Sequence, residues 1–211
     1  MRINKEKNEE KMKHFAENYY QNLAKLIELV EVGGKSVKAV KFYQGIYKAA
    51  DLINSRVIAG NKLIFIGNGA SASISSHQAT DFWKNGGMRA IAFNDAALLT
   101  CVSNDIGYPY VFEKSIEMFA DKGDVLVAIS SSGKSENILR GIKAAVNKGC
   151  KIITLSGFKN DNPLRLSGDI NFYVPSLLYG HVEIFHHSIC HCILEYLMQK
   201  TTKQNRECRI D

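Results

Sequence analysis

Short apolar runs alternating with helix-length segments predict a three-layer α/β protein, a doubly wound parallel sheet led by two N-terminal helices. Two observations carry this. The runs at 63–66, 90–93, 125–129, 152–155 and 170–174 are apolar almost without interruption, as strands covered on both faces must be. Each is followed by a turn and then a helical pattern, which is how parallel strands are joined.

The elements follow in order. Residues 4–31 place Phe15, Tyr19, Leu23, Leu26, Leu29 and Val30 at helical spacing with charges between them, so an amphipathic helix is expected. The stretch "EVGGKS" breaks it, and a second helix is expected over 37–58, ended by "AGNK" just before the apolar burst "LIFIG". The alternating strands and helices come next. Pro109, Pro163 and Pro175 all fall where loops or helix starts are expected. A last helix over 180–198, "GHVEIFHHSICHCILEYLM", is apolar nearly all round. Such a helix should be buried, and a core of this size leaves limited room for it within one subunit. An oligomer is therefore expected, with the leading helices and this helix touching neighbours. With no repeat or linker visible, the chain reads as a single domain over 1–211. Residues 1–60 would serve oligomerisation, and 61–198 the α/β core and terminal helix.

The chain has 211 residues, 45% hydrophobic and 23% charged, enough for one buried core. Its formal charge of +6 is scattered, with no basic block and no basic-aromatic interleaving, so nucleic acid is not the expected partner and an anionic small substrate fits. No apolar run reaches the roughly 18 residues of a membrane span, and the start "MRINKEKNEEKMKHF" is charged throughout, unlike a secretory leader. The five cysteines are odd in number and contain no CxxC pair, which suits reduced thiols. A cytoplasmic protein is the expectation.

Two turns could carry chemistry. In "IFIGNGASAS" a strand runs through Gly67 and Gly69 into a helix, and the N–H groups of that helix start favour an anion. Alone the signal is weak. It lacks the full GxGxxG of dinucleotide folds and the Gly-Lys-Ser/Thr of a P-loop, and a tight turn capped by Ser71 would explain it equally well. In "VLVAISSSGKSENIL" the same strand-turn-helix pattern carries Ser130, Ser131, Ser132 and Ser135. Those hydroxyls, with free N–H groups, can surround the oxygens of a phosphomonoester. Capping the helix near Ser135 would need one serine, not four.

The pair "GNGASAS" and "ISSSGKSENI", separated by "FNDAALLTCVSND" and followed by "KIITLSG", resembles the SIS (sugar isomerase) domain, in its phosphoheptose isomerase branch. The resemblance runs from about residue 10 to 198. It implies an aldose–ketose isomerase that converts sedoheptulose 7-phosphate to D-glycero-D-manno-heptose 7-phosphate through an enediol, supplying heptose for surface polysaccharide. It also implies a homotetramer with active sites at subunit interfaces and a divalent cation such as Zn²⁺. Carried over by position, it makes Asn68, Gly69, Ala70 and Ser71, Asn94 and Asp95, and Ser130, Ser131, Ser132 and Ser135 the substrate-binding residues. His77, Asp81, Glu183 and His191 become the metal ligands, with Asp81 and His191 as base and acid. Three positions depart from the family's pattern: Ala70 replaces its second glycine, Asp81 its glutamate and Glu183 its glutamine.

Shortening the carboxylate at 81 costs about 1.5 Å of reach, and a catalytic group displaced by about 1 Å can lose roughly 100-fold in rate. Spacing adds a constraint. His77 and Asp81 are four residues apart on one helix and can face one ion, whereas Glu183 and His191 are eight apart, about 12 Å along an axis. One of the latter two would then come from a neighbouring chain, and His187, four from each, is the rival ligand. A carboxylate cannot be both a tight ligand and a free base, so with metal bound Glu183 becomes the alternative base to Asp81. Other readings are an isomerase of a different sugar phosphate and a non-catalytic SIS module that binds a sugar phosphate or a protein.

Overall fold

A computed structural model describes the backbone of residues 2–35 and 38–207 and the side chains of 8–35 and 38–200. Val37, where the second helix was expected to start, and Cys208 lie outside the described residues. The chain opens with α1 (Arg2–Leu29), β1 (Glu31–Gly33) and α2 (Phe42–Ile58). The alternating part is β2 (Leu63–Gly67), α3 (Ala70–Lys84), β3 (Ala90–Ala92), α4 (Ala96–Asp105), α5 (Val111–Phe119), β4 (Val125–Ser130), α6 (Glu136–Asn147), β5 (Lys151–Gly157), β6 (Ile170–Val174) and α7 (Tyr179–Glu207).

The six strands lie in the order β1-β6-β5-β4-β2-β3, and every pair is parallel except β1 with β6. This is the doubly wound sheet expected. Its apolar strands serve two cores by simple alternation: Leu63 and Phe65 of β2 face one side with Val125, Val127 and Ile129 of β4, while Ile64 and Ile66 face the other with Leu126 and Ala128. The first core takes α1, α2, α3 and α7; the second takes α5 and α6. The chain leaves β2 toward β3 over the first face and returns to β4 over the second, because right-handed crossovers in opposite directions need opposite faces. The direction reverses between β2 and β4. A crevice therefore opens at their carboxyl ends, where this architecture holds ligands.

One element differs from expectation. The "EVG" of the supposed break is a strand, its Glu31, Val32 and Gly33 aligned with Tyr173, Phe172 and Asn171 of β6. Val32 is buried, and a Cβ on Gly45 would come within 2.6 Å of it, so α2 presses directly onto β1. Val40 also bridges to Val32, which keeps the chain extended and delays α2 until Phe42. Three residues carry no readable period, so only pairing with β6 could make them a strand.

The apolar α7 is largely absorbed within its own chain. Val182, Phe185, Ile189, Cys190, Ile193, Leu194 and Leu197 join the first core, leaving Tyr179, Ile184 and Tyr196 exposed. Among the described residues no helix is long and apolar enough to cross a membrane.

Candidate active site

The first turn is shaped by its glycines. A Cβ at Gly67 would lie 2.4 Å from the Ser71 carbonyl oxygen, so only glycine lets α3 start this close to β2. Gly69, at φ 56°, occupies the N-cap position of α3, and a Cβ there would meet nothing within 4 Å. No side chain caps α3, which removes the alternative of a turn capped by Ser71: the backbone turn itself starts the helix, with the Ser71 N–H donating to the Asn68 carbonyl. The Asn68 amide is locked in a reciprocal pair with Asn137 at 2.9 Å each way, and the Tyr108 hydroxyl donates to it at 2.8 Å.

The second turn leaves β4 at Ser130, whose Oγ accepts from the Gly133 N–H at 3.2 Å and lies 3.4 Å from the Ser135 Oγ. Ser132 accepts from the Lys134 N–H at 3.3 Å. Ser135 has N-cap backbone geometry on α6, yet its hydroxyl makes no capping bond. Capping therefore does not account for this serine. Gly133, at φ 64°, rests on buried Asn162: a Cβ there would lie 2.1 Å from the Asn162 Oδ1.

The two turns face each other across the crevice and bound a cavity of about 240 Å³, lined by Asn68, Gly69, Ala70, Ser71, Ile129, Ser130, Ser131, Ser132 and Ser135. Tyr179 and Glu183, from the first turns of α7, complete its wall. The N-termini of α3 and α6 both open here, so backbone N–H groups and hydroxyls converge on a site suited to an anion. A larger cavity of about 840 Å³ lies between the end of α1, β1 and the start of α2, and none of the candidate site residues lines it.

Asn94 and Asp95 do not line the serine cavity. Asn94 donates to the Ala72 carbonyl and the Ser76 hydroxyl, both at 2.8 Å, tying the end of β3 to α3. Asp95 caps α4 by accepting from the Leu98 N–H at 2.9 Å.

One face of α3 carries His77 and Asp81, and it meets α7 where His187 and His191 project. Ring centroids lie 4.8 Å apart for His77 and His187, 5.3 Å for His77 and His191, and 4.6 Å for His187 and His191. Asp81 Oδ2 is 3.1 Å from His77 Nε2 and 3.9 Å from His191 Nδ1, while its Oδ1 accepts from Asn85 at 3.1 Å. Burial, then the neighbouring His191 and His77, hold the His187 pKa below the ordinary histidine value. Its Nε2 is buried with no hydrogen-bond partner among the described residues. The other histidines of α7 are packed differently: His186 is fully buried, donates to the Ser156 carbonyl at 3.1 Å and is pushed down to about 4 by burial, and His181 lies 4.4 Å from the Tyr19 ring.

His77, Asp81 and His191 thus gather within one chain, and Glu183 does not join them. It faces the serine cavity instead, one helical turn before His187. The sequence reading missed Tyr179, Tyr108 and Asn137. Tyr108 sits in "GYPY", a turn signal that marks a loop without saying what the loop will reach. Asn137 follows the serines closely enough to be suspected, but only the pairing of β2 with β4 brings the start of α6 beside Asn68.

An α/β sheet with two ligand-facing helix starts at its switch point, one of them rich in hydroxyls, defines a protein built to hold a small phosphorylated molecule. Residues 18–157 match the SIS domain family. The chain is 34% identical over 192 residues to the phosphoheptose isomerase of Proteus mirabilis, spanning 87% of this chain and all of that one. It is 35% identical over 175 residues to the phosphoheptose isomerase of Cytophaga hutchinsonii, spanning 78% and 91%. The solved phosphoheptose isomerase structure from Francisella tularensis superimposes with a TM-score of 0.77 at 27% identity, covering 90% of this chain and 97% of that one. That from Neisseria gonorrhoeae gives 0.73 at 26%, with the same coverage. The chain belongs to the SIS-domain family, in its phosphoheptose isomerase branch.

Proposed function

We propose that this protein is an aldose–ketose isomerase that converts sedoheptulose 7-phosphate to D-glycero-D-manno-heptose 7-phosphate through an enediol, in heptose supply for surface polysaccharide. The observation that carries the reading is the serine-lined cavity at the switch point, continued along α7 by Glu183, His187 and His191. Successive members of that row are one helical turn apart, about 6 Å, so the row spans about 12 Å. An extended sugar phosphate anchored in the serine turn would run past Glu183, with its reacting carbons between Glu183 and His191.

The phosphate sits among Ser130, Ser131, Ser132 and Ser135, where hydroxyls and helix-start N–H groups hold it without a bulky cation. Anchoring it there orients the distant carbonyl carbons, which offer little else to grip. The reaction moves a proton between adjacent carbons, so a carboxylate must take it and an acid must serve the oxygens. Glu183 is the base in this reading, because it faces the cavity while Asp81 is engaged by His77 and Asn85. In the metal-free site His191, with Asp81 beside it, is the acid and proton shuttle, a role it gives up when its ring nitrogen holds an ion. The residues fit a divalent cation: three imidazoles converge, and one carries a buried nitrogen with no partner. His77 and His191 would hold it beside Asp81, and when bound, Zn²⁺ or a similar ion would polarise the sugar carbonyl and stabilise enediolate charge.

The assembly in this reading is a homotetramer. Met12, Phe15, Tyr20 and Ile27 of α1 and Ile184 of α7 are exposed apolar side chains suited to a subunit interface. The compartment is the cytoplasm, in keeping with the unpaired Cys101, Cys150, Cys190 and Cys192.

Turnover of sedoheptulose 7-phosphate by wild type, Glu183→Gln, His191→Ala and Asp81→Asn tests the assignment. Loss of roughly 10²- to 10⁴-fold in kcat is expected for the first two variants, with a smaller loss for Asp81→Asn. A larger loss in Asp81→Asn than in Glu183→Gln would return the base to Asp81. A folded wild type that turns over no sugar 7- or 6-phosphate, with or without Zn²⁺, would overturn the isomerase reading.

A further inference from the structure

We infer that His187 is the third protein ligand of a metal site formed within one chain by His77, His187 and His191, and that Glu183 is not a ligand. The inference deepens the metal reading above and concerns one residue that the family resemblance does not assign.

Three observations carry it. One ring nitrogen from each of the three histidines lies within 4.8 Å of the others. His187 and His191 stand four apart on α7, and His77 stands opposite on α3, so two rigid helices aim all three rings at one point. The His187 Nε2 is buried and has no hydrogen-bond partner among the described residues, an arrangement that costs free energy unless something fills it. Glu183 lies outside this group of nitrogens and lines the serine cavity.

The chemistry of the donors selects the ion. Three neutral imidazoles suit Zn²⁺ and its neighbours in the transition series, not Mg²⁺ or Ca²⁺, which take oxygen ligands. Three histidines leave a fourth position for substrate or water, the pattern of a catalytic rather than a structural zinc site. Asp81, with Oδ2 3.1 Å from His77 Nε2, is placed to orient that ring by accepting its outer N–H, and it lies 3.9 Å from His191 Nδ1. Its shorter side chain then has a use: it supports a ligand from beside it.

The test is metal binding, read directly on full-length protein stripped with EDTA. Zn²⁺ titration by calorimetry and the visible absorption of Co²⁺ are measured for wild type, His187→Ala and Glu183→Gln, with circular dichroism confirming that each apo variant is folded. One ion per chain is expected in wild type. His187→Ala should weaken binding by more than about 100-fold, the upper end of the loss caused by removing an outer-sphere partner, and should change the Co²⁺ spectrum. Glu183→Gln should bind as wild type does. Unchanged binding in folded His187→Ala, abolished binding in Glu183→Gln, or no binding by wild type would each overturn the inference. Because no turnover is read, an active enzyme that ignores Zn²⁺ would defeat this inference alone, and a zinc-binding protein without isomerase activity would defeat only the functional reading.

Discussion

Replacing Gly133 by alanine should dismantle the phosphate turn from behind. The residue sits at φ 64°, a conformation that costs an L-residue about 1–2 kcal/mol. The added Cβ would also fall 2.1 Å from the Asn162 Oδ1 and 2.5 Å from its Cγ, so Asn162 must leave its place. That buried amide donates to the Gly157 carbonyl at 3.1 Å and the Lys159 carbonyl at 2.7 Å, and accepts from the Arg165 N–H at 3.1 Å. Three such bonds at about 1 kcal/mol each, added to the backbone cost, give an expected loss of about 4–5 kcal/mol. Gly60 is the control. It has φ 85° but nothing within 4 Å of a Cβ, so Gly60→Ala should lose only the backbone share, about 1–2 kcal/mol. Urea unfolding of the two variants isolates the clash by subtraction. A raised KM for sugar phosphate in Gly133→Ala, unmatched in Gly60→Ala, would tie the turn to substrate binding. If the two variants are equally stable, the dependence of the serine turn on Asn162 is refuted.

Two further outcomes follow from buried charge. The Lys62 ammonium lies 2.6 Å from Asp124 and 2.7 Å from Asp121, and Asp124 is 1% exposed, so Lys62→Met should cost about 3–5 kcal/mol in urea unfolding by stranding a buried carboxylate. His186 is held near 4 by burial against an ordinary value of 6.5, so its contribution is complete above pH 6.5 and is lost as the pH falls toward 4. Up to about 3 kcal/mol of acid-dependent destabilisation follows from that shift, measured on metal-free protein. His186→Gln, which keeps a donor for the Ser156 carbonyl, should flatten this part of the pH–stability curve relative to wild type; an identical curve would show that His186 does not carry it.

The sequence by itself determined the layers and the doubly wound parallel class of the sheet, because near-continuous apolar runs such as "LIFI" and "VLVAI" can be satisfied only between two helical faces. It also located the two ligand turns: Gly67 and Gly69 are demanded by local backbone geometry, and four hydroxyls in six residues exceed what capping needs. Contacts distant in the chain were decided by the tertiary structure alone. Val32 becomes part of a strand only because β6 presents an edge to it, and Tyr108 reaches Asn68 across 40 residues. The same holds for the histidines of α7. Their spacing placed His187 level with two partners, but the angle at which α7 lies on α3 turned His187 and His191 toward His77 and left Glu183 at the serine cavity. Helical period fixes which residues share a face; packing decides what that face meets.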